Sequence, residues 1–143
     1  MKILTALDEG AKRPKKAYKA DAGYDLFTPE DFDVPPAGHK GDGKAVMDTG
    51  VHMAIPEGYF GYVCSKSGLN IYKDLTAEGI IDSGYTGSIV VKLYNHGKER
   101  RSFRAGDKIA QIIFIKHESP ELILVDSLPE TERGNNGFGS TGR

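Results

Sequence analysis

Four groups of residues in this chain have types and spacings that could do chemistry. The first is the stretch Ala77-Glu78-Gly79-Ile80-Ile81-Asp82-Ser83-Gly84-Tyr85-Thr86-Gly87. Its glycines supply backbone angles that other residues avoid, which predicts a tight loop. Asp82 is the carboxylate at its centre, with two β-branched apolar residues before it and Tyr85 after it. Ser88-Ile89-Val90-Val91-Lys92-Leu93-Tyr94 then reads as a strand. An acid and an aromatic ring therefore sit on a hairpin whose flanks are expected to be buried. That placement suits a general base beside an apolar pocket. It also suits a surface turn with an ordinary aspartate.

The second group is Lys66-Ser67-Gly68. As a glycine-opened loop it can aim backbone N–H groups at an anion, with a hydroxyl and a positive charge alongside. The third is Asp21 and Asp25, brought close by a turn that leads into a short strand. Carboxylates hold Mg²⁺ directly or through water. The fourth is the C-terminal stretch. Residues 129–143 have no apolar period and contain Gly134, Gly137, Gly139 and Gly142, yet they carry Phe138. A lone Phe in such a tail fits a partner surface or a disordered end. Arg133, Ser140 and Thr141 nearby are phosphate-binding types. Together the four groups can form a nucleoside triphosphate site, with Asp82 activating water.

The elements that must position these groups read as strands. Short alternating runs fall at residues 2–7, 24–28, 31–34, 46–55, 59–65, 88–94, 109–115 and 121–125, divided by Gly- and Pro-containing turns. In the run at 59–65, Phe60, Tyr62 and Cys64 share one face. Residues 71–76 fit a short helical turn or a loop. Gln111 interrupts an apolar run, facing either outward or a bonded interior position. About nine strands with no convincing helix predict a β-sandwich or jelly roll. The chain has 18 Gly, against roughly ten at average usage, which fits a turn-rich all-β fold.

Bulk properties exclude several classes. A length of 143 residues fits one domain. The formal net charge of -1 offers no basic field for nucleic acid. No segment approaches the ~18 apolar residues of a membrane span, and the first residues are too short in apolar run for a signal peptide. The cytoplasm, of a cell or of a host cell, is the expected compartment. The one cysteine, Cys64, forms no intrachain disulfide and reads as a buried thiol. His39, His52, His96 and His117 have no ligand-pair spacing and read as surface or turn residues.

Taken in chain order, these segments resemble the five motifs of the trimeric dUTP pyrophosphatase (dUTPase) family, over nearly the whole chain. Ala22-Gly23-Tyr24-Asp25-Leu26 is similar to the first, Lys66-Ser67-Gly68-Leu69 to the second and Gly79-Ile80-Ile81-Asp82-Ser83-Gly84-Tyr85-Thr86-Gly87 to the third. Gly106-Asp107-Lys108-Ile109-Ala110-Gln111 is similar to the fourth, and the run from Arg133 to Gly142 to the fifth. Any one match is weak; five in order are specific.

The resemblance implies a distorted jelly-roll or β-clip sandwich that assembles as a homotrimer. Residues 1–125 would form the core, and a flexible tail, 126–143, would close over a neighbouring subunit's site. It implies hydrolysis of dUTP to dUMP and pyrophosphate with Mg²⁺ as cofactor. Asp82 is then the general base and Asp25 the Mg²⁺ ligand. Lys66, Ser67, Gly68 and Gln111 bind phosphates, while Gly79, Ile80 and Ile81 read the uracil edge with Thr76 near the base. Tyr85 stacks on the deoxyribose, Phe138 covers the uracil, and Arg133, Gly139, Ser140 and Thr141 close on the phosphates. The chain departs from the family at Lys66, where Arg is usual, and at Thr76, where Asn is frequent. Lysine keeps the charge without the bidentate fork. Two rival readings are a dCTP deaminase of the same fold and a non-catalytic nucleotide-binding trimer. The deaminase needs a Glu where Lys92 stands, and a dead enzyme would have no use for Asp82, Asp25 and the tail together.

Overall fold

The computed structural model describes residues 1–38 and 42–137. His39, Phe138, Gly139, Ser140 and Thr141 lie outside the described residues. Nine strands and one short helix run β1 (Leu4–Leu7), β2 (Tyr24–Phe27), β3 (Phe32–Val34), β4 (Lys44–Ala54), β5 (Tyr59–Cys64), α1 (Ser67–Lys73), β6 (Leu75–Ile81), β7 (Ser88–Asn95), β8 (Arg101–Phe103) and β9 (Lys108–Lys116). The all-β expectation holds. Seven strands form one curled sheet in the order β1-β4-β7-β6-β5-β9-β2, and β3 pairs with β8 beside it.

The curl arises at β6, which changes partner part-way. Leu75 to Ala77 pair with Asn95 to Leu93 of β7, whereas Glu78 to Ile81 pair with Cys64 to Gly61 of β5. One strand shared by two ladders folds the sheet over a single apolar core. That core includes Leu26, Val51, Val63, Leu75, Ile89, Leu93, Ile109 and Ile112. Period-two alternation predicts it well: in β7, Ile89, Val91, Leu93 and Asn95 point in while their neighbours point out. In β5 Phe60, Tyr62 and Cys64 share one face as expected, but it is the half-buried one, so Cys64 is not fully buried; Gly61 and Val63 are the buried residues. Burial still pushes the Cys64 thiol above its ordinary range.

Two further expectations are overturned. Residues 66–70 are not a loop but the start of α1, whose first turn closes through Leu69 N–H and Asn70 N–H to Lys66 O, at 3.0 and 2.9 Å. No residue of α1 is buried, so no apolar period marks it in the sequence. The run Glu121 to Val125 is not a strand. Leu122 and Leu124 are 92% and 98% exposed, and no ladder partner adjoins them among the described residues. An apolar run takes strand geometry only where a neighbour supplies the backbone bonds.

A bulge in β4 matters below. Asp48 pairs with Val90 and His52 with Ser88, so four steps on β4 oppose two on β7. Gly50 sits in the bulge at φ 63°, where a side chain is strained. Thr49 Oγ1 donates to Ile89 O at 2.7 Å and Asp48 accepts from Gly50 N–H at 3.0 Å, which fixes the excess residues against the start of β7.

Candidate active site

The sheet register lines up one polar row. Asp25 on β2 faces Gln111 on β9, Gln111 faces Cys64 on β5, and Cys64 faces Glu78 on β6. Lys66 follows directly, two residues past the end of β5. Asp25 is only 5% exposed. Lys66 Nζ bonds one of its oxygens, and Lys108 Nζ bonds the other at 2.7 Å. Burial pushes the Asp25 carboxyl up, but the bonds and charges of Lys108 and Lys66 outweigh it and hold the group below the usual carboxylate range. Two ammonium groups on one carboxylate leave the cluster net positive, which favours an anionic ligand. Ser67 and Gly68 lie beside it in the first turn of α1, where backbone N–H groups have no intrahelical acceptor.

Gln111 is half-buried and bonded. Its Nε2 donates to Ser65 O at 3.0 Å. Ser65 Oγ in turn accepts from Ala77 N–H at 2.9 Å, tying the end of β5 to β6. The carboxamide lies over Gly23, where any Cβ would overlap its Oε1. Gly23→Ala should therefore push Gln111 off Ser65 and cost about 1–2 kcal/mol, read as a lower urea midpoint at an unchanged m-value.

Next to this row, Lys12, Lys15, Lys73 and Lys108 line a cavity of about 480 Å³ floored by Phe27 and Phe103. Lys12 Nζ stands 4.5 Å over the Phe27 ring. Lys12 and Lys15 come from the connector between β1 and β2, and Lys108 opens β9. Their convergence depends on contacts across the fold, such as Lys12 Nζ donating to Gly106 O at 3.3 Å.

Asp82 lies elsewhere, just past the end of β6. Beyond Ala77, β6 pairs on one side only, so its other edge offers backbone N–H and C=O groups at Glu78–Ile81. Ile80, Ile81, Asp82, Tyr85, Ser88 and Val90 line a cavity of about 260 Å³ there. The Tyr85 hydroxyl donates to Ser88 O at 3.0 Å. Its ring covers Gly87, where any Cβ would overlap it. The Asp82 carboxylate is exposed and takes no hydrogen bond or ion pair among the described residues. The expected burial of the flanks holds on the β7 side, where Ile89, Val91 and Leu93 are buried, but not at Ile80, which is 65% exposed, and the Tyr85 ring is 47% exposed.

The two halves do not meet in one protomer. Along the strand, Asp82 is four residues beyond the polar row, about 13 Å, and Asp25 is three strand spacings away, about 14 Å. Thr76 joins neither half, because its hydroxyl bonds His96 Nε2 at 2.7 Å at the far end of β6. Asp21 accepts from Tyr18 N–H at 2.8 Å and fixes a turn, whereas Asp25 is held by Lys66 and Lys108. Arg133 is exposed in the terminal segment, its Nε donating to Asn136 O at 3.1 Å.

A divalent cation finds no cage of three or more His, Cys, Asp or Glu side chains among the described residues. Asp25 alone, with both oxygens engaged by lysines, fits an ion that arrives with a polyphosphate and keeps its water shell, as Mg²⁺ commonly does.

The dUTPase family pattern matches residues 9–142 of the chain. The deoxyuridine 5'-triphosphate nucleotidohydrolase of Mus musculus is 40% identical over 139 residues, covering 96% of this chain and 82% of its own. Among solved structures, the Staphylococcus bacteriophage 80alpha dUTPase with dUpNHpp superposes with a TM-score of 0.84 at 31% identity, covering 99% of each chain. A mutant dUTPase from phage phi11 of S. aureus, solved with attention to the coordination of a structural Mg(II) ion, superposes with a TM-score of 0.78 at 29% identity. It covers 89% of this chain and 98% of its own.

Proposed function

The chain belongs to the dUTPase family, and on that premise we propose that it hydrolyses dUTP to dUMP and pyrophosphate with Asp82 as the general base. The observation that carries this reading is the 260 Å³ cavity in which an unengaged carboxylate, the Tyr85 ring and a free strand edge meet. Backbone groups of Gly79, Ile80 and Ile81 bond the uracil edge. Tyr85 packs against the deoxyribose and leaves no room for a 2′-hydroxyl. Lys66, the N–H groups of Ser67 and Gly68, and Gln111 take the phosphates. Asp82 removes a proton from water as the water oxygen bonds to the α-phosphorus. The bond from that phosphorus to the bridging oxygen breaks, and pyrophosphate carries the electron pair away. Asp25 would hold Mg²⁺, which would supply charge compensation to the triphosphate oxygens.

The separation of the two halves supports a homotrimer in which Asp82 of one subunit serves the phosphate half of another. Exposed Ile80, Tyr85 and Val90 supply apolar surface for that contact. Residues 1–125 act as the core. The tail from 126, carrying Arg133, Phe138, Gly139, Ser140 and Thr141, closes over the bound nucleotide of a neighbour. Thr76 contributes only if that assembly brings it near the base.

Purified protein with Mg²⁺ should release pyrophosphate from dUTP, and from UTP about 10²-fold more slowly, with dCTP and dTTP as controls for base selection. Ammonia release from dCTP, or no pyrophosphate from dUTP, would remove the hydrolase reading.

A further inference from the structure

We propose that His52 is a positioning residue for the Asp82–Gly87 loop, clamping it through Thr86 to the end of β1. The inference rests on the reading of that loop as the base and sugar platform. His52 sits mid-sheet, opposite Ala6 of β1 and Ser88 of β7. Its ring bridges two acceptors. Nδ1 lies 2.8 Å from Thr86 O, and Nε2 lies 3.2 Å from both carboxylate oxygens of Asp8. Other bonds of the loop are local: Tyr85 N–H to Asp82 O at 3.3 Å and the Tyr85 hydroxyl to Ser88 O. Among the described residues, the bond from His52 is the one that joins residues 82–87 to a strand outside the hairpin.

The β4 bulge explains why His52 reaches the loop. With Gly50 and its neighbours absorbed opposite Ile89, His52 is carried forward to the first residue of β7, beside Thr86. Asp8 is fixed there as well, its N–H donating to Gly50 O at 2.9 Å. A neutral imidazole has one N–H, so either tautomer leaves a lone pair facing an acceptor. Only the imidazolium donates to Thr86 O and Asp8 at once. The charged groups that face the ring are Asp8 beyond β1 and Asp48 on its own strand; Ser88 and Thr86 are neutral. The bond to Thr86, then Asp8, raises the His52 pKa above its ordinary value of 6.5. With a raised folded pKa, the clamp is complete below the unfolded value and is lost as pH rises through the folded one. Holding the Thr86 carbonyl fixes the Thr86–Gly87 peptide beneath the Tyr85 ring, so the ring over Gly87 is what loosens first.

The test compares His52→Ala, His52→Asn and Asp8→Asn with wild type. His52→Ala should raise KM for dUTP about tenfold while kcat stays within about twofold. His52→Asn keeps a donor for Thr86 O and should recover most of that loss. Wild-type KM relative to His52→Asn should rise as pH climbs above the ordinary histidine value of 6.5, and Asp8→Asn should flatten the trend; the ratio cancels the substrate's own ionisation. A His52→Ala enzyme with wild-type KM, or equal impairment of the Ala and Asn variants, would overturn the assignment. If His52→Ala does not fold, the pH trend and His52→Asn decide alone. If the wild type releases no pyrophosphate from dUTP, the hydrolase reading fails separately. Amide exchange over residues 83–88 then decides the clamp: faster exchange in His52→Ala supports it, and unchanged exchange contradicts it.

Discussion

Asp82→Asn is expected to bind dUTP with near wild-type affinity and to release pyrophosphate about 10³-fold more slowly. The asparagine fills the same volume at the mouth of the Ile80–Tyr85 cavity but cannot accept the proton of the attacking water. The side chain makes no ion pair or hydrogen bond among the described residues, so its loss removes no fold contact. The thermal midpoint should therefore stay within about 1–2 °C of wild type, as surface changes away from partners do. Binding is measured with a non-hydrolysable nucleotide and turnover by pyrophosphate release. Near-normal turnover would take Asp82 out of the base role.

Lys66→Ala is expected to lower kcat/KM for dUTP about 10²-fold, from the loss of a cation at the developing phosphate charge. The fold should suffer less. Asp25 keeps Lys108 at 2.7 Å, and the Lys66 side chain is 26% exposed, so solvent screens part of the lost pair. A stability loss of about 1 kcal/mol, read in urea, would agree. Lys66→Arg restores the charge and adds the bidentate fork, and should hold activity within about tenfold of wild type. Equal damage from Ala and Arg would mean that Lys66 serves packing rather than phosphate.

Much of the fold was legible because burial imposes period two. Val51, Met53 and Ile55 in and around β4, and Ile89, Val91 and Leu93 in β7, alternate as a half-buried sheet requires. Helix α1 was not legible, as it buries nothing and leaves no stripe. The Glu121–Val125 run was read as a strand on composition alone, and composition does not supply a ladder. Site residues were legible as ordered motifs, but no periodicity or spacing in the sequence itself places them on the protomer. The partner change of β6 at Ala77 separates Asp82 from Asp25, and that change depends on pairings with β5 and β7. The contacts of Lys108, and of His52, which reads as a surface or turn residue but lies within β4, were hidden for the same reason. Their acceptors lie far away in sequence: Asp25 for Lys108, and Thr86 and Asp8 for His52.

The separation of the two halves makes a direct demand on the assembly. Asp82→Asn and Lys66→Ala are each nearly inactive on dUTP but damage different halves of the site. When equal amounts are unfolded together and reassembled, random mixing puts an intact base beside an intact phosphate half in about a quarter of the sites of a cyclic trimer. The account predicts recovery of about a quarter of wild-type pyrophosphate release per site. A mixture no more active than the two parents assayed separately would contradict it, and would place the whole site within one subunit.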